Sequence, residues 1–419
     1  MTTSVVRLPG RFLLPLTFPL LMGPPPIADA QSCVFEGEGS QMDCPTGFEC
    51  DDACYPLKYK PMDRITSYVH GIRVRNDAPV EGALTVVFVQ GIGTNATFFT
   101  PLIDELIKRM GDRLRALYSL DFPGHGDSSI PPGIKYGEMR LEHYGWGVSE
   151  ALKTITAEEG AVDLYIGHST GGLLGVLLEQ ALREELARDG DPEQGGLYHS
   201  YGTRGVVLLE PVPVQSIHWQ FSDGLQSDAG PDLASRLLVY MVPYLTLTPD
   251  RGLVVRAESS SEWEDFFFSR WPGTEGSAVD LDDAVIAGLM EDEAGAVALQ
   301  LGGFTLRPGS FLERPDVDAG IMLPYSLVTQ AAEDDLYMRP DELSAFHDYL
   351  LDGPDATGEG CFEVVSAPYA VHGLPFLSPA DTYNGCVEAV FQQLTANMPA
   401  AGTRSARPEP KGSSLKPMR

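Results

Sequence analysis

Residues 162–174 constrain the fold of this chain more than any other segment. Their sequence, VDLYIGHSTGGLL, predicts a short apolar strand, then the pattern Gly-x-Ser-x-Gly, then the start of a helix. A serine at such a junction sits in a tight turn, where side chains two residues before and after it would collide with neighbouring backbone, and Gly167 and Gly171 occupy those two places. The N–H groups that begin the helix favour negative charge beside the serine. The segment therefore predicts that Ser169 is a nucleophile exposed at the edge of a sheet.

Short apolar runs alternate with amphipathic stretches along much of the chain. Runs rich in β-branched residues and apolar on both faces are typical of buried parallel strands, and alternation with helices predicts a mainly parallel sheet covered by helices on both sides. The predicted helices include residues 98–110 and 170–188. The predicted strands are residues 71–75, 84–90, 115–120, 162–166, 205–209, 326–329 and 362–366.

Together with this serine turn, two further segments resemble the α/β-hydrolase superfamily. Residues 86–92, VVFVQGI, resemble the strand and loop that supply part of the oxyanion hole, with Gln90-Gly91 where family members often have His-Gly. Residues 121–128, DFPGHGDS, resemble the D-x-x-G-x-G-x-S turn, which is structural in the family. The resemblance implies an α/β-hydrolase fold, with the backbone N–H groups of Ile92 and Thr170 as the oxyanion donors.

The same resemblance implies an acid and a histidine after the nucleophile, in the chain order Ser, acid, His. His372 follows the last predicted strand by a short loop, which is the family's base position, so we expect His372 to activate Ser169. The orienting acid belongs just after the strand at 326–329, where Asp335 is favoured and Asp334 is second. Glu210, at the end of the strand at 205–209, is a rival because some relatives place their acid there.

The resemblance covers residues 61–213 and 319–398, which we assign to the α/β-hydrolase core. Residues 214–318 interrupt this core where family members carry a cap or lid, and we expect a large inserted cap there. Its aromatic clusters fit either an apolar substrate pocket or the packing of the cap itself.

Both ends of the chain differ in composition from the core. Residues 1–30 predict a signal peptide, because Arg7 and Arg11 precede an apolar run too short to span a bilayer and Ala28-Asp29-Ala30 is a small-x-small cleavage pattern. Residues 399–419 are rich in Pro, Ser, Gly and Arg without apolar periodicity, which predicts a disordered tail.

Residues 31–60 form a small Cys-rich segment with too few aliphatic residues to bury a core. The chain has six cysteines, an even number, and four of them crowd into this segment, which indicates disulfides in an oxidising compartment. Three pairings among Cys33, Cys44, Cys50 and Cys54 stay open, and a metal site is the alternative reading. We expect the remaining two, Cys361 and Cys386, to tie the last strand to the last helix.

Charge excludes some partners. The chain carries 29 Lys and Arg against 59 Asp and Glu, a net charge of −30, which argues against binding to nucleic-acid phosphates. No stretch is long and apolar enough to predict an integral membrane segment.

These features together predict a secreted or periplasmic serine hydrolase. It would cleave carboxylic esters, from small molecules or lipids, through an acyl-enzyme on Ser169, and the implied mechanism requires no metal or organic cofactor. Two alternatives stay open. One is a peptidase or lactonase on the same fold, and the other is a non-catalytic binding protein that uses the Cys-rich segment.

Overall fold

A computed structural model describes the parts of the chain that form the sheet and its flanking helices. The described residues are 44–57, 67–92, 94–131, 134, 139–188, 196–213, 245–248, 252–255, 326–335, 337–352, 360–367 and 372–396. The strands are β1 Phe48–Pro56, β2 Tyr68–Asn76, β3 Leu84–Val89, β4 Leu114–Leu120, β5 Leu164–His168, β6 Gly205–Leu209, β7 Leu245–Thr248, β8 Gly252–Val255, β9 Ser326–Ala332 and β10 Gly360–Val365. The α-helices are α1 Thr100–Met110, α2 Leu141–Glu159, α3 Thr170–Arg188, α4 Gly196–Tyr201, α5 Pro340–Asp352, α6 Leu374–Leu377, α7 Pro379–Tyr383 and α8 Cys386–Ala396.

Eight of the strands form one sheet in the order β1-β2-β4-β3-β5-β6-β9-β10. Strand β2 runs antiparallel to both of its neighbours, and every other pairing in the sheet is parallel. The predicted mainly parallel sheet is confirmed. Strand β5, which directly precedes Ser169, lies between β3 and β6, so the loops after these three strands meet at one edge of the sheet.

Apolar side chains cover both faces of the sheet. Along β3, Val87 and Val89 join the core on the side of α2, α3 and α5, whereas Val86 and Phe88 join the core on the side of α1 and α8. Successive residues of a strand point to opposite faces, so a strand buried on both sides must be apolar throughout. The two-sided packing of helices on the sheet is thereby explained by the sequence pattern.

Part of the Cys-rich segment belongs to this sheet. Strand β1 pairs with β2 along its whole length and buries Ala53, Cys54 and Tyr55, although the sequence analysis placed no strand there. Cys44 is bonded to Cys50, and Cys54 is also held in a disulfide. At the opposite edge, Cys361 of β10 is bonded to Cys386 at the start of α8, as expected.

Other expectations fall on residues that the structure does not describe. These are the signal peptide at 1–30, the tail at 399–419 and the cap at 214–318 apart from the antiparallel pair β7 and β8. Among the helices that are described, none combines the length and apolar character needed to cross a membrane.

Candidate active site

Ser169 occupies a strained turn between β5 and α3. Its φ angle is +50°, a left-handed conformation that residues with a side chain seldom adopt. The turn is held by backbone bonds, since Ser169 N–H donates to Leu209 O at 2.9 Å and Ser169 O accepts from Val212 N–H at 3.1 Å. A side chain at Gly171 would collide with Val89 O, and one at Gly167 would meet Gly171 O at 2.5 Å. The glycines of the Gly-x-Ser-x-Gly pattern are therefore required by close backbone packing.

The loop after β3 lies directly against this serine. A Cβ added at Gly91 would lie 2.8 Å from Ser169 Cβ and 3.0 Å from His168 Nδ1. Ile92 comes next in the chain and packs partly buried against both cores. Thr170 is buried and begins α3, where a backbone N–H has no acceptor within its own helix. Ile92 and Thr170 are therefore the chain neighbours of Gly91 and Ser169, the two residues that make this contact.

His372 and Asp335 lie side by side. His372 Nδ1 is 2.8 Å from Asp335 Oδ2. The other oxygen of this carboxylate, Oδ1, accepts hydrogen bonds from the N–H groups of Tyr337 at 2.7 Å and Met338 at 3.0 Å. Asp335 is 1 % exposed, so its orientation is fixed by three partners away from water. A carboxylate held in this way can fix the tautomer of an imidazole, leaving Nε2 free for proton transfer.

The charges around His372 favour its protonated form. Burial lowers the pKa of His372, but attraction to the Asp335 carboxylate, the hydrogen bond to it and the charge of Glu210 together outweigh burial, so the pKa is raised above 6.5. The site therefore stabilises the imidazolium that a general base becomes when it accepts a proton.

The three candidate acids have different surroundings. Asp335 is buried beside His372, whereas Asp334 is exposed to solvent. Glu210 is fully buried, and its Oε2 accepts from the backbone N–H groups of Gly373 at 2.8 Å and Leu374 at 3.3 Å. The structure therefore brings Asp335 to the imidazole and Glu210 to the backbone that follows it.

His168, the residue before Ser169, packs into the site. Its ring centroid lies 4.8 Å from that of His372, and its Nε2 is 3.0 Å from Glu210 Oε2. Burial and the nearby charge of His372 lower the pKa of His168 well below 6.5. A neutral His168 therefore donates its Nε2 proton to Glu210, while its buried Nδ1 has no hydrogen-bond partner among the residues that the structure describes.

His168, Glu210 and His372 also offer atoms suited to a metal ion, all within 4.8 Å of one another. Glu210 Oε2 already accepts from His168 and from the two backbone N–H groups that follow His372, so we describe the three residues as a buried cluster built around a His168–Glu210 hydrogen bond. The sequence carried one signal for this cluster. Because β5 and β6 are parallel neighbours, the residues that end them, His168 and Glu210, must lie at the same edge of the sheet.

Comparisons with solved structures find similar proteins at low sequence identity. The peroxisomal alpha-beta-hydrolase Lpx1 from Saccharomyces cerevisiae is 14% identical over 88% of this chain and 93% of its own, with a TM-score of 0.50. The esterase RhEst1 from Rhodococcus sp. is 14% identical over 84% of this chain and 100% of its own, with a TM-score of 0.47. A hydrolase from Pseudomonas aeruginosa is 17% identical over 78% and 94%, with a TM-score of 0.44.

Sequence comparisons place the chain more directly. A search of curated proteins finds no match. The family model described as "Alpha/beta hydrolase family" matches residues 86–385. This match extends from the strand before the oxyanion loop to beyond His372, and it spans more than half of the chain. Together with the parallel sheet and the serine turn, it shows that this chain belongs to the alpha/beta hydrolase family.

Proposed function

We propose that the protein is a serine hydrolase that cleaves carboxylic esters through an acyl-enzyme on Ser169. One observation carries the proposal: a strained serine flanked by glycines contacts the loop after β3, at the sheet edge that also carries the hydrogen-bonded pair of His372 and buried Asp335. A backbone outlier such as Ser169 is costly to maintain and is typical of a functional position. A neutral serine hydroxyl needs a base to become nucleophilic, and His372 is the imidazole that the site orients.

Each step uses groups of this chain. Ser169 Oγ attacks the carbonyl carbon of the ester while His372 Nε2 takes the hydroxyl proton. The oxygen that gains negative charge is stabilised by the N–H groups of Ile92 and Thr170. His372 returns the proton to the leaving alkoxide, and water, activated by the same imidazole, releases the acid from Ser169. Asp335 holds the imidazolium in place between the two transfers.

The setting of the enzyme follows from its cysteines. Two described disulfides, Cys44–Cys50 and Cys361–Cys386, favour an oxidising compartment, as does the leader predicted at 1–30. We therefore place the enzyme outside the cytoplasm, secreted or periplasmic, acting on small-molecule or lipid esters.

Covalent labelling tests the nucleophile. A fluorophosphonate should modify the folded protein at Ser169, and p-nitrophenyl esters of rising chain length should be turned over. Ser169→Ala should abolish both, because no other hydroxyl can replace the one in the turn. Ser200→Ala is the matched control, since Ser200 is also buried but lies on α4, and it should label and hydrolyse like the wild type.

The same panel separates the alternatives. Turnover of aminoacyl amides without turnover of esters would replace the ester proposal by a peptidase, and turnover of lactones alone would replace it by a lactonase. Absence of labelling on folded protein would favour the binding protein.

A further inference from the structure

We propose that Glu210 is a positioning residue that sets the place of His372 by anchoring the backbone after it, and that His168 completes this anchor. The inference rests on the proposed function, because it assigns Glu210 a part in the same site. It differs from the role of orienting acid, since the carboxylate bonded to the imidazole is that of Asp335.

The hydrogen bonds that the Glu210 carboxylate makes with described residues converge on one oxygen. Its Oε2 accepts from Gly373 N–H, Leu374 N–H and His168 Nε2, at 2.8, 3.3 and 3.0 Å. Glu210 and the two amides are more than 160 residues apart in the chain, so this contact joins the end of β6 to the loop after β10. Gly373 and Leu374 directly follow His372 and begin α6, so fixing their N–H groups fixes the backbone that carries the imidazole.

The backbone of Glu210 supports a functional reading. Glu210 has a φ of +48°. Among the described residues other than glycine, only Glu210 and Ser169 adopt this left-handed conformation. The N–H of Glu210 donates to Gln330 O on β9 at 2.8 Å, which holds the turn in place. Strain of this kind persists where the surroundings impose it, and here it aims the carboxyl group at the histidine loop.

His168 extends the anchor to the other side of the nucleophile. Its Nε2 is bonded to Glu210 and its Nδ1 faces Gly91. Its ring lies tilted against Phe98, with 4.6 Å between the ring centroids, and its centroid is 4.8 Å from that of His372. The pair therefore connects the oxyanion loop with the histidine loop next to Ser169. Both residues are almost completely buried, at 2 % and 0 % exposure, so water does not compete for these bonds.

The charged and titratable groups that face Glu210 are His168 on β5, Asp335 after β9 and His372 after β10. Burial raises the pKa of Glu210 to about 8, an effect that the charge of His372 and the two backbone bonds oppose. Glu210 and His372 titrate as a coupled pair, since ionised Glu210 in turn raises the pKa of His372. Replacing Glu210 by Gln, which cannot ionise, should therefore move the upper part of the acid limb, near pH 8, to lower pH, which loss of an uncharged packing contact would not do.

Two substitutions separate the hydrogen bonds from the charge. Glu210→Gln keeps an acceptor oxygen but removes the charge, and Glu210→Leu removes both. The readouts are the rate and pH dependence of fluorophosphonate labelling, the kcat and KM for p-nitrophenyl acetate, and hydrogen–deuterium exchange of peptides that contain Gly373 and Leu374. Glu179→Gln is the matched control. Glu179 lies on α3 and is also buried, and its carboxylate accepts a hydrogen bond from the backbone N–H of Leu197 at 2.6 Å.

We expect Glu210→Leu to lose exchange protection at 373–374 and to label about 100-fold more slowly, the scale of loss that follows misplacement of a catalytic group. Glu210→Gln should keep most of the protection and lower kcat by about tenfold or less at unchanged KM, with its acid limb shifted to lower pH. Glu179→Gln should leave all three readouts at wild-type values. If Glu210→Leu does not fold, the pH profile of Glu210→Gln still decides the question.

Two results would overturn the proposal. A loss of kcat in Glu210→Gln as large as that in Asp335→Asn would make Glu210 an orienting acid. If the Glu210 variants show the same hydrogen–deuterium exchange and the same pH profile as Glu179→Gln, Glu210 has a structural role only. A wild type that neither labels nor hydrolyses esters would instead refute the proposed function, and the exchange data would still show whether Glu210 anchors the loop.

Discussion

At the scale of single residues, the acidic triplet 333–335 shows how one position can differ from its neighbours. The sequence shows three similar side chains in a row, and the resemblance ranked Asp335 first among them. In the structure, Glu333 and Asp334 are exposed, while Asp335 turns inward to His372 and to two backbone N–H groups. The buried carboxylate of Asp335 thus differs from the carboxylates of Glu333 and Asp334, which are solvated as loop side chains usually are.

Replacing these carboxylates by amides should therefore have unequal effects. Asp335→Asn should lower kcat by about ten-thousand-fold, as the same change does in a serine protease triad, because the amide no longer holds the correct tautomer. Asp334→Asn should stay close to the wild type, since its side chain is in water. Steady-state hydrolysis of a p-nitrophenyl ester measures both, and equal losses in the two variants would contradict the assignment.

The pH profile of Asp335→Asn adds a second test. A base must be neutral to act, so kcat/KM should rise as pH passes upward through the pKa of His372, and in the wild type this rise should lie above 6.5. Without the Asp335 charge the pKa of His372 falls, so the rise should move to lower pH in the residual activity of the variant.

The contacts of Glu210 are a feature of the site that could not be predicted from the sequence. The end of β6 could be placed beside Ser169 from the strand alternation, because parallel neighbours end at one edge. The amides that Glu210 binds belong to a loop that follows a different strand, and no periodicity or spacing in the chain relates the two.

At the scale of elements, the strands were predictable to the extent that they are buried on both faces. The apolar runs at 84–90 and 205–209 coincide with β3 and β6 almost residue for residue. Strand β1 has the sequence FECDDACYP, with two aspartates and few aliphatic residues. It therefore contains no apolar run from which a strand could be predicted. Its place depends instead on backbone pairing to β2 and on contacts such as Asp52 with His70, which are properties of the folded molecule.

The loop after β3 provides a test of how closely the elements of the site pack. In Gly91→Ala, the new methyl group would press on Ser169 Cβ and on the His168 ring, so the serine must shift from its turn. We expect kcat to fall by about 100-fold, since misplacement by about 1 Å costs that much. Ester hydrolysis and fluorophosphonate labelling measure the loss.

Gly160→Ala is the control for a glycine that is needed only for conformation. Gly160 ends α2 with a φ of +84° and has no neighbouring atom in the way of a side chain. Alanine there should cost about 1 kcal/mol in the free energy of unfolding and leave kcat unchanged. If Gly91→Ala behaves like Gly160→Ala, the loop does not pack on the nucleophile as described.

At the scale of the whole molecule, one buried histidine joins strand β1 to the loop after β4. His70 on β2 lies between Asp121, 2.6 Å from its Nδ1, and Asp52 of β1, 3.1 Å from its Nε2. Burial lowers the pKa of His70, but the two carboxylates outweigh this and raise it to about 10. His70 is therefore an imidazolium over most of the pH range in which proteins fold.

The linkage between this charge and stability has a definite sign. The pKa of His70 is about 10 in the folded state and near 6.5 when exposed, so its stabilising effect is complete below pH 6.5 and is lost as the pH rises toward 10. The urea midpoint of the wild type should fall over this range, and His70→Gln should remove much of that fall. His347→Gln is the control, because burial lowers the pKa of His347 and the bond it makes is to Thr329. A pH dependence in His70→Gln as steep as in the wild type would contradict this account.

The disulfides described above have a consequence for the ends of the sheet. An outermost strand offers a row of unsatisfied N–H and C=O groups, to which another polypeptide can add and begin an aggregate. Among the described strands, β1 and β10 lie outermost in the sheet, and Cys50 of one and Cys361 of the other each carry a covalent crosslink. The disulfides thus lie at the two edge strands to which another chain could most easily add, and they oppose the local unfolding that would expose the backbone of these strands.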